Sequence, residues 1–464
     1  MPTPRRRKWR EAQTVRLDLN GLLATAVGAG GLTADDVDAL EPELARVRSM
    51  LAEHRAAGKL AFAELPYRTD DVQTVRDVAA QVREQFDTLV VLGVGGSALG
   101  ARALTSALLP ATPEGVRVVS ADSIDPAAMQ RLLDELDLRR TLFNVVSKSG
   151  NTAGTMAQFL VVRDRLLTAL GAVDYKEHLL VTTDPERGSL RQVVNDEGLR
   201  ELVIPAGVQG RLGALSAVGL FPLAVAGVDV TEVLAGAALV DERSRAAESP
   251  VSDAPLVLAG ALWLLATRRE KRLLALVAGS DRLGGVADWF CHLWAASLGR
   301  SAAGGLKPIP ARGAADQHAE LALALDGPRD TVVCFLRLED HGATLDVPVT
   351  YQDLEDVGYL GGHPLAALLD AEQRATELAL ARHGRPSARV VLPQLSPFTV
   401  GQLVYILETA TVAAGVLAGI EPGEEHGLEE ARQIAHGLMG RPRFAGWKEE
   451  AEAWLGRKDP RFVL

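Results

Sequence analysis

Short apolar segments that end in glycine or serine turns and lead directly into helical segments recur along this 464-residue chain. One runs over 87–93, stops at Gly95-Gly96-Ser97 and precedes a helical pattern over 98–109. Another runs over 141–147 and precedes a helical pattern over 152–169. Continuous apolar strands that alternate with helices are typical of parallel sheets covered on both faces. The pattern therefore predicts an α/β fold.

The strand segments fall into two series, which predict two sheet domains. The first series continues at 116–120, 178–183 and 202–205, and the second comprises 273–279, 332–338 and 388–392, with helices over 254–268, 285–298, 362–383 and 398–419. Since single cores stop growing near roughly 250–300 residues, a chain of this length needs more than one. We expect a helical lead-in over 1–85, a first domain over 86–230, a second over 231–420 and a helical tail over 421–464.

Composition narrows the classes of function. The net charge of -11 argues against a nucleic-acid partner, which clustered Lys and Arg would bind. The two cysteines, Cys291 and Cys334, have no metal-ligand spacing and cannot build a disulfide framework, so a reducing cytoplasm is expected. No long uninterrupted apolar span and no apolar signal core is found, which predicts a chain that is neither secreted nor membrane-spanning.

The turn over 93–97 has the setting of an anion site. Gly93, Gly95, Gly96 and Ser97 lie between a strand and a helix, where backbone N–H groups and the helix dipole favour negative charge. No acidic residue follows at the distance that dinucleotide binding requires. A tight turn that uses its glycines only for packing is an equally supported alternative.

The second turn carries a stronger signal for phosphate. Ser147, Lys148, Ser149 and Thr152 supply three hydroxyls and an ammonium within six residues, again between a strand and a helix. Hydroxyls and main-chain N–H groups can surround phosphate oxygens while the helix N-terminus opposes their charge. The alternative is a Ser/Thr cluster that only caps the helix.

These two turns and the motifs that follow them resemble the phosphoglucose isomerase family, whose domains are sugar-isomerase (SIS) domains. The similarity covers roughly 60–440, and its further motifs are Leu65-Pro66, the segment 208–219 around Arg211, the helix over 288–300 and Asp316-Gln317-His318. The resemblance implies two SIS-type, doubly wound, mainly parallel five-stranded sheets flanked by helices. It also implies a homodimer, in which His318 reaches the neighbouring subunit's site, and no metal or cofactor.

The resemblance assigns a role to each matching residue. Phosphate binding falls on Ser147, Lys148, Ser149 and Thr152, with further substrate contacts at Gly96 and Ser97. Arg211 would stabilise an enediolate, since a guanidinium stays charged at any relevant pH, and His318 would open the sugar ring. The alternatives are a surface ion pair for Arg211 and a backbone-capping loop histidine for His318.

Three positions depart from the family pattern. The glutamate that carries a proton between C2 and C1 aligns with Ala296, which cannot accept a proton; a lysine aligns with Arg432, and a glutamine with His292. Residues 292 and 296 lie one turn apart on one helix face, so His292 is a candidate substitute base. The alternative is a histidine packed beside Trp289 with no catalytic duty.

The resemblance leads to one principal hypothesis and three alternatives. The principal one is a cytoplasmic isomerase that interconverts glucose 6-phosphate and fructose 6-phosphate in glycolysis and gluconeogenesis. The first alternative is an enzyme that acts on another phosphosugar with His292 and Arg432 in a changed site. The second is a phosphosugar-binding protein that has lost catalysis, and the third is an isomerase in which Ala296 was engineered to trap a ligand.

Overall fold

The computed structural model describes residues 9–110, 115–299, 305–316, 319–421 and 429–462. The chain divides into two compact units, Met1–Gly423 and Glu424–Leu464. The smaller unit contains the helices Glu429–Leu438 and Ala445–Leu455. The larger unit contains two five-stranded sheets.

Ten strands make up the two sheets within the described residues. They are β1 (Arg16–Asp18), β2 (Thr88–Leu92), β3 (Arg117–Ala121), β4 (Thr141–Ser147), β5 (Leu179–Thr183), β6 (Arg200–Val203), β7 (Leu273–Ala278), β8 (Lys307–Arg312), β9 (Thr331–Asp340) and β10 (Ser387–Gln394). The first sheet has the order β3-β2-β4-β5-β6 and is parallel throughout. The second has the order β1-β10-β9-β7-β8, in which only β1 runs antiparallel to its neighbour.

Helices flank both sheets. Those of eight or more residues in the larger unit are Leu40–Ala56, Thr69–Gln85, Gly96–Leu108, Pro126–Glu135, Ala153–Asp174, Ser189–Glu197, Ala217–Val225, Val230–Ala246, Ala254–Arg268, Gly284–Leu298, Leu365–Arg382 and Pro397–Leu417. Shorter ones are Ala24–Val27, Ala34–Asp38, Gly313–Asp316, Glu320–Asp326 and Glu355–Gly358. The α/β architecture with two mainly parallel, helix-flanked sheets is therefore confirmed.

Local sequence explains much of this architecture. All seven residues of β4 are buried, as the mainly apolar pattern predicts for a central parallel strand. Thr33 caps the helix Ala34–Asp38 and forms a capping box with Asp36, which fixes the start of this helix in the lead-in region.

Two strands of the second sheet were not predicted. β1 lies in the region expected to be a helical lead-in, and its three residues are too few to show a strand period. β8 contains Pro308 and Pro310, which argue against a strand because proline cannot donate to the ladder. β8 lies at the edge of the sheet, where that loss is tolerated.

The helix Pro397–Leu417 is long and apolar enough to cross a membrane by composition alone. In the structure, 94% of its apolar window is buried inside the larger unit. Its side chains pack with the helices Val230–Ala246 and Ala254–Arg268. The helix therefore has the burial of a core helix.

Candidate active site

The two predicted ligand turns lie at the carboxyl ends of the neighbouring strands β2 and β4. Gly95 precedes the helix Gly96–Leu108 with a φ of 92°, a conformation that glycine adopts without strain. The Val94 N–H donates to Thr155 Oγ1 at 3.0 Å, and Thr155 is buried in the helix that follows the second turn. The first turn is therefore anchored to the second.

The second turn gathers its hydroxyls into one cluster. Thr152 Oγ1 lies 3.4 Å from Ser147 Oγ and 3.3 Å from Ser149 Oγ. Ser147 Oγ also accepts from the Gly150 N–H at 3.1 Å, which fixes the turn. Thr152 occupies the N-cap position of the helix Ala153–Asp174, yet its side chain makes no capping hydrogen bond. The cluster thus presents hydroxyls beside a helix N-terminus, a setting that suits an anion.

Lys148 forms an ion pair with Asp184, a residue that the sequence analysis did not single out. Asp184 Oδ1 also accepts from the backbone N–H groups of Glu186 at 2.9 Å and Arg187 at 3.0 Å. Burial alone would raise the pKa of Asp184, but these hydrogen bonds and the Lys148 ammonium outweigh it, so the pKa lies below its usual value. Asp184 therefore remains a carboxylate and holds the ammonium in place.

The segment that carries Arg211 packs against both turns. A Cβ placed on Gly210 would lie 2.8 Å from Ser97 Oγ and 3.5 Å from Lys148 Cβ. A Cβ on Gly96 would lie 3.0 Å from Arg211 Cα. Glycine at these two positions lets the Arg211 segment pack closely against the two turns. The structure therefore brings Gly96, Ser97, Lys148 and Arg211 together.

Arg211 also contacts the helix Gly284–Leu298, which carries Ala296 at the position of the family's glutamate. Its Nε donates to Ser297 Oγ at 3.0 Å, and Ser297 directly follows Ala296. One turn earlier, burial lowers the pKa of His292, and the positive charge of Arg211 lowers it further. His292 is thus a neutral imidazole near pH 7, in a form that can accept a proton.

Ion pairs fix the Gly284–Leu298 helix against the first sheet domain. Arg102, on the helix Gly96–Leu108, pairs with Asp122 at 2.7 Å and with Asp288. Arg282 donates to the Ala107 carbonyl at 2.7 Å. Arg102, Asp184 and Ser297 each contact residues that are far away in the sequence. The sequence spacing of motifs therefore could not predict these contacts.

For two predicted site residues, His318 and Arg432, the structure gives no position relative to this cluster. His318 lies outside the described residues. Arg432 belongs to the smaller unit, where its guanidinium pairs with Glu429 and its side chain is 62% exposed. Among the described residues, no group of three or more His, Cys, Asp or Glu side chains is placed to hold a metal ion.

The arrangement combines an anion cradle with a charged guanidinium and a neutral imidazole. Hydroxyls, the Lys148 ammonium and a helix N-terminus suit a phosphate group. Arg211 can stabilise an oxyanion that develops on the bound molecule. Such a site fits proton transfer on a phosphorylated small molecule.

Comparison with known proteins identifies the family. The phosphoglucose isomerase family model matches residues 70–302. The glucose-6-phosphate isomerase of Carboxydothermus hydrogenoformans is 34% identical over 466 residues, which cover 97% of this chain and 99% of that protein. The glucose-6-phosphate isomerase of Rubrobacter xylanophilus is 38% identical over 423 residues, which cover 89% of this chain and 96% of that protein.

Solved structures agree with this result. A hypothetical protein of Thermus thermophilus superposes with a TM-score of 0.83 at 34% identity, covering 92% of this chain and 100% of that one. A glucose-6-phosphate isomerase of Chlamydia trachomatis shares the fold, with a TM-score of 0.71 at 22% identity over 83% of this chain and 77% of that one. The resemblance seen in the motifs is confirmed, and the chain belongs to the phosphoglucose isomerase family.

Proposed function

We propose that this protein interconverts glucose 6-phosphate and fructose 6-phosphate. The observation that carries the proposal is the convergence of the Lys148 turn, the Ser97 turn and Arg211 around Gly210. Full-length relatives named glucose-6-phosphate isomerase support the choice of substrate. The reaction belongs to glycolysis and gluconeogenesis and needs no cofactor in this proposal.

The cradle residues take the phosphate in this proposal. Ser147, Ser149 and Thr152 donate hydroxyl hydrogen bonds, and Lys148 shares its ammonium between Asp184 and the phosphate. Gly96 and Ser97 contact the sugar, whose closed ring His318 opens. Arg432 takes the place of the family lysine.

Proton transfer between C1 and C2 needs a base that Ala296 cannot supply. We assign it to His292, because its imidazole is neutral and lies on the same helix face one turn away. Arg211, held beside this helix by Ser297, stabilises the enediolate that forms when the proton leaves.

The test compares fructose 6-phosphate turnover by the unchanged protein, His292→Ala and Ala296→Glu, all purified from a host without its own isomerase. We expect the unchanged protein to be active and His292→Ala to lose about 10²–10⁴-fold in kcat with little change in KM. His383→Ala is the matched control, since His383 is exposed and lies just before β10 begins. It should keep full activity.

The other outcomes separate the alternatives. Unchanged turnover in His292→Ala removes this residue from the mechanism. Turnover only in Ala296→Glu indicates a protein that binds phosphosugars without isomerising them. If no variant is active, the substrate is another phosphosugar.

We also propose a homodimer, supported by the arm that connects β9 to the helix Leu365–Arg382. The arm is closed by hydrogen bonds from the Val347 N–H to the His363 carbonyl and from the Gly362 N–H to the Val347 carbonyl, both 2.9 Å long. Its large apolar side chains are exposed: Leu345, Val349, Tyr351, Leu354, Val357 and Tyr359. Several exposed apolar side chains on one short segment favour an interaction site.

Light scattering tests the dimer. We expect twice the chain mass of 49.3 kDa for the unchanged protein and a shift toward 49.3 kDa for Tyr351→Asp/Tyr359→Asp. A dimer that resists this double change does not use the arm. Exposed Leu160→Asp/Val173→Asp, on the helix Ala153–Asp174, is the control.

A cytoplasmic location completes the proposal. Cys291 and Cys334 are both buried and free, which suits a reducing compartment. The net charge of -11 gives no support for a nucleic-acid or anionic membrane partner.

A further inference from the structure

A second cationic cleft lies at the amino-terminal end of the second sheet. It has a volume of about 450 Å³ and is formed by the segments that precede β7 and β9, together with Ala29, Gly30 and Gly384. Its charged lining consists of Arg269, Glu270, Lys271, Arg272, Arg329 and Asp330. Four cationic and two anionic side chains give it a formal charge of +2 in a chain whose net charge is -11.

Lys271 is the buried floor of this cleft. Its side chain is almost fully enclosed, and its Nζ donates to the Arg329 carbonyl at 2.6 Å. Burial lowers the pKa of Lys271, and the charges of Arg385 and Arg329 lower it further, while Asp330 opposes them. Among the described residues, no carboxylate pairs with this ammonium. Asp330 acts on Lys271 without pairing with it, so within the described ranges this buried cation has no hydrogen-bonded counter-charge, and its site is favourable for an anion.

A second buried cation adds to the positive charge. Arg385 is buried and donates only to the carbonyls of Leu325, Gly327 and Pro328 among the described residues. It is close enough to Lys271 to lower the pKa of the ammonium. Since carbonyl dipoles satisfy the donors of Arg385 without neutralising its charge, the field of this guanidinium extends toward the cleft.

Two arginines at the rim of the cleft have guanidinium N–H groups that are not used in the described part of the chain. Arg272 and Arg329 are exposed, and in the described part of the chain their side chains form no ion pair or hydrogen bond. Arg269 differs, since it pairs with Asp36 and donates to the Gly31 carbonyl at 2.7 Å. The cleft therefore offers two open arginine forks above a buried ammonium, a donor set that suits phosphate or carboxylate groups.

The backbone at this cleft is also unusual. Glu270 has a φ of 51°, a left-handed conformation that only one other non-glycine residue among those described adopts. In this turn Glu270 and Arg272 are exposed, and Lys271 between them is buried. Such a conformation costs about 1–3 kcal/mol and persists where the surroundings impose it.

We propose that this cleft is a binding site for a small anion that carries two or more phosphate or carboxylate groups. Two forks and one ammonium match a ligand with more than one anionic group. The volume accommodates a molecule of the size of pyrophosphate or citrate, with space for water.

The site is separate from the candidate active site. Arg272 and Asp330 immediately precede β7 and β9, whereas the helix with His292 and Ala296 follows the carboxyl end of β7. The six residues of β7 span about 20 Å at roughly 3.3 Å per residue. Ligands at the two ends therefore do not compete for the same residues.

Calorimetric titration of the full chain with pyrophosphate, and separately with citrate, tests the proposal. Since the cradle also attracts phosphate, all proteins carry Lys148→Met. We expect saturable binding that Arg272→Ala/Arg329→Ala weakens by at least about tenfold. Arg272→Lys/Arg329→Lys should weaken it less, because lysine keeps the charge but not the fork. Binding should weaken when the salt concentration rises from about 0.05 M to about 0.3 M.

The matched control is Arg117→Ala/Arg131→Ala, which removes two exposed arginines from the first sheet domain. It should bind like the parent protein. Tighter binding of pyrophosphate than of citrate assigns the cleft to phosphates, and the reverse order assigns it to carboxylates. Equal affinities in the cleft variant and the control, or no saturable binding by a parent that melts as a folded protein, would overturn the proposal.

Discussion

The pairing of Lys148 with Asp184 leads to opposite predictions for stability and for phosphate affinity in Asp184→Asn. Removal of one partner of a fully buried ion pair costs about 3–5 kcal/mol. The two side chains are 17% and 12% exposed, and asparagine still accepts from the backbone N–H groups of Glu186 and Arg187. We therefore expect a loss of about 2 kcal/mol in the free energy of unfolding.

Phosphate should bind more tightly to the same variant. A carboxylate and a phosphate that share one ammonium lie about 6 Å apart, the span of two hydrogen bonds. At an effective dielectric constant of about 20, two unit charges at that separation repel by about 3 kcal/mol. If solvent screens half of this, removal of the Asp184 charge raises phosphate affinity about tenfold.

Chemical unfolding and calorimetric titration with inorganic phosphate measure the two effects. Asp87→Asn is the control, since Asp87 pairs with Arg140 on the surface, with side chains 63% and 53% exposed. It should change neither quantity measurably. Equal or weaker phosphate binding by Asp184→Asn would refute the assignment of Lys148 to the phosphate.

The pH dependence of this pair has a defined sign. Because the folded-state pKa of Asp184 lies below its ordinary 3.8, the pair stabilises the protein above pH 3.8. This contribution is lost as the pH falls through the depressed folded-state value. The difference in unfolding free energy between the unchanged protein and Asp184→Asn should therefore shrink below pH 3.8.

Two further predictions concern Gly96 and the buried carboxyl of Glu408. In Gly96→Ala the new Cβ lies 3.0 Å from Arg211 Cα, so we expect the free energy of unfolding to fall by about 1–3 kcal/mol and kcat/KM to fall as well. Gly446→Ala is the control: its new Cβ has nothing within 4 Å, so this variant should be neutral or stabilising. Burial raises the pKa of Glu408 well above 4.5, so between pH 4.5 and the raised folded-state pKa this carboxyl ionises on unfolding. In that window, denaturation curves should show that the unfolding free energy of Glu408→Gln rises relative to that of the unchanged protein, by up to about 1.4 kcal/mol per pH unit, and parallel pH profiles would contradict this.

Local chemistry made most of the architecture predictable. The helix over 254–268 has the predicted bounds, because Asp253 and Pro255 mark its start and an apolar run fills its interior. The strand-turn-helix units were predictable for the same reason, since each signal lies within a dozen residues. The two predicted ligand turns belong to such units.

Contacts between distant segments were not predictable from one sequence. Asp184 meets Lys148 across 36 residues, and Ser297 meets Arg211 across 86. Nothing local distinguishes these two side chains from other polar residues that follow a strand or line a helix. The roles of His292, His318 and Arg432 remain predictions.

The position of β1 in the second sheet has a consequence for synthesis. Asp18 pairs with Arg389, 371 residues later, and β1 covers the outer edge of β10. At roughly 5–20 residues per second, the ribosome needs about 20–70 s to make that distance. β1 therefore leaves the ribosome long before β10 and must wait for this partner. The edge of the new β10 strand is open to other chains until β1 pairs with it.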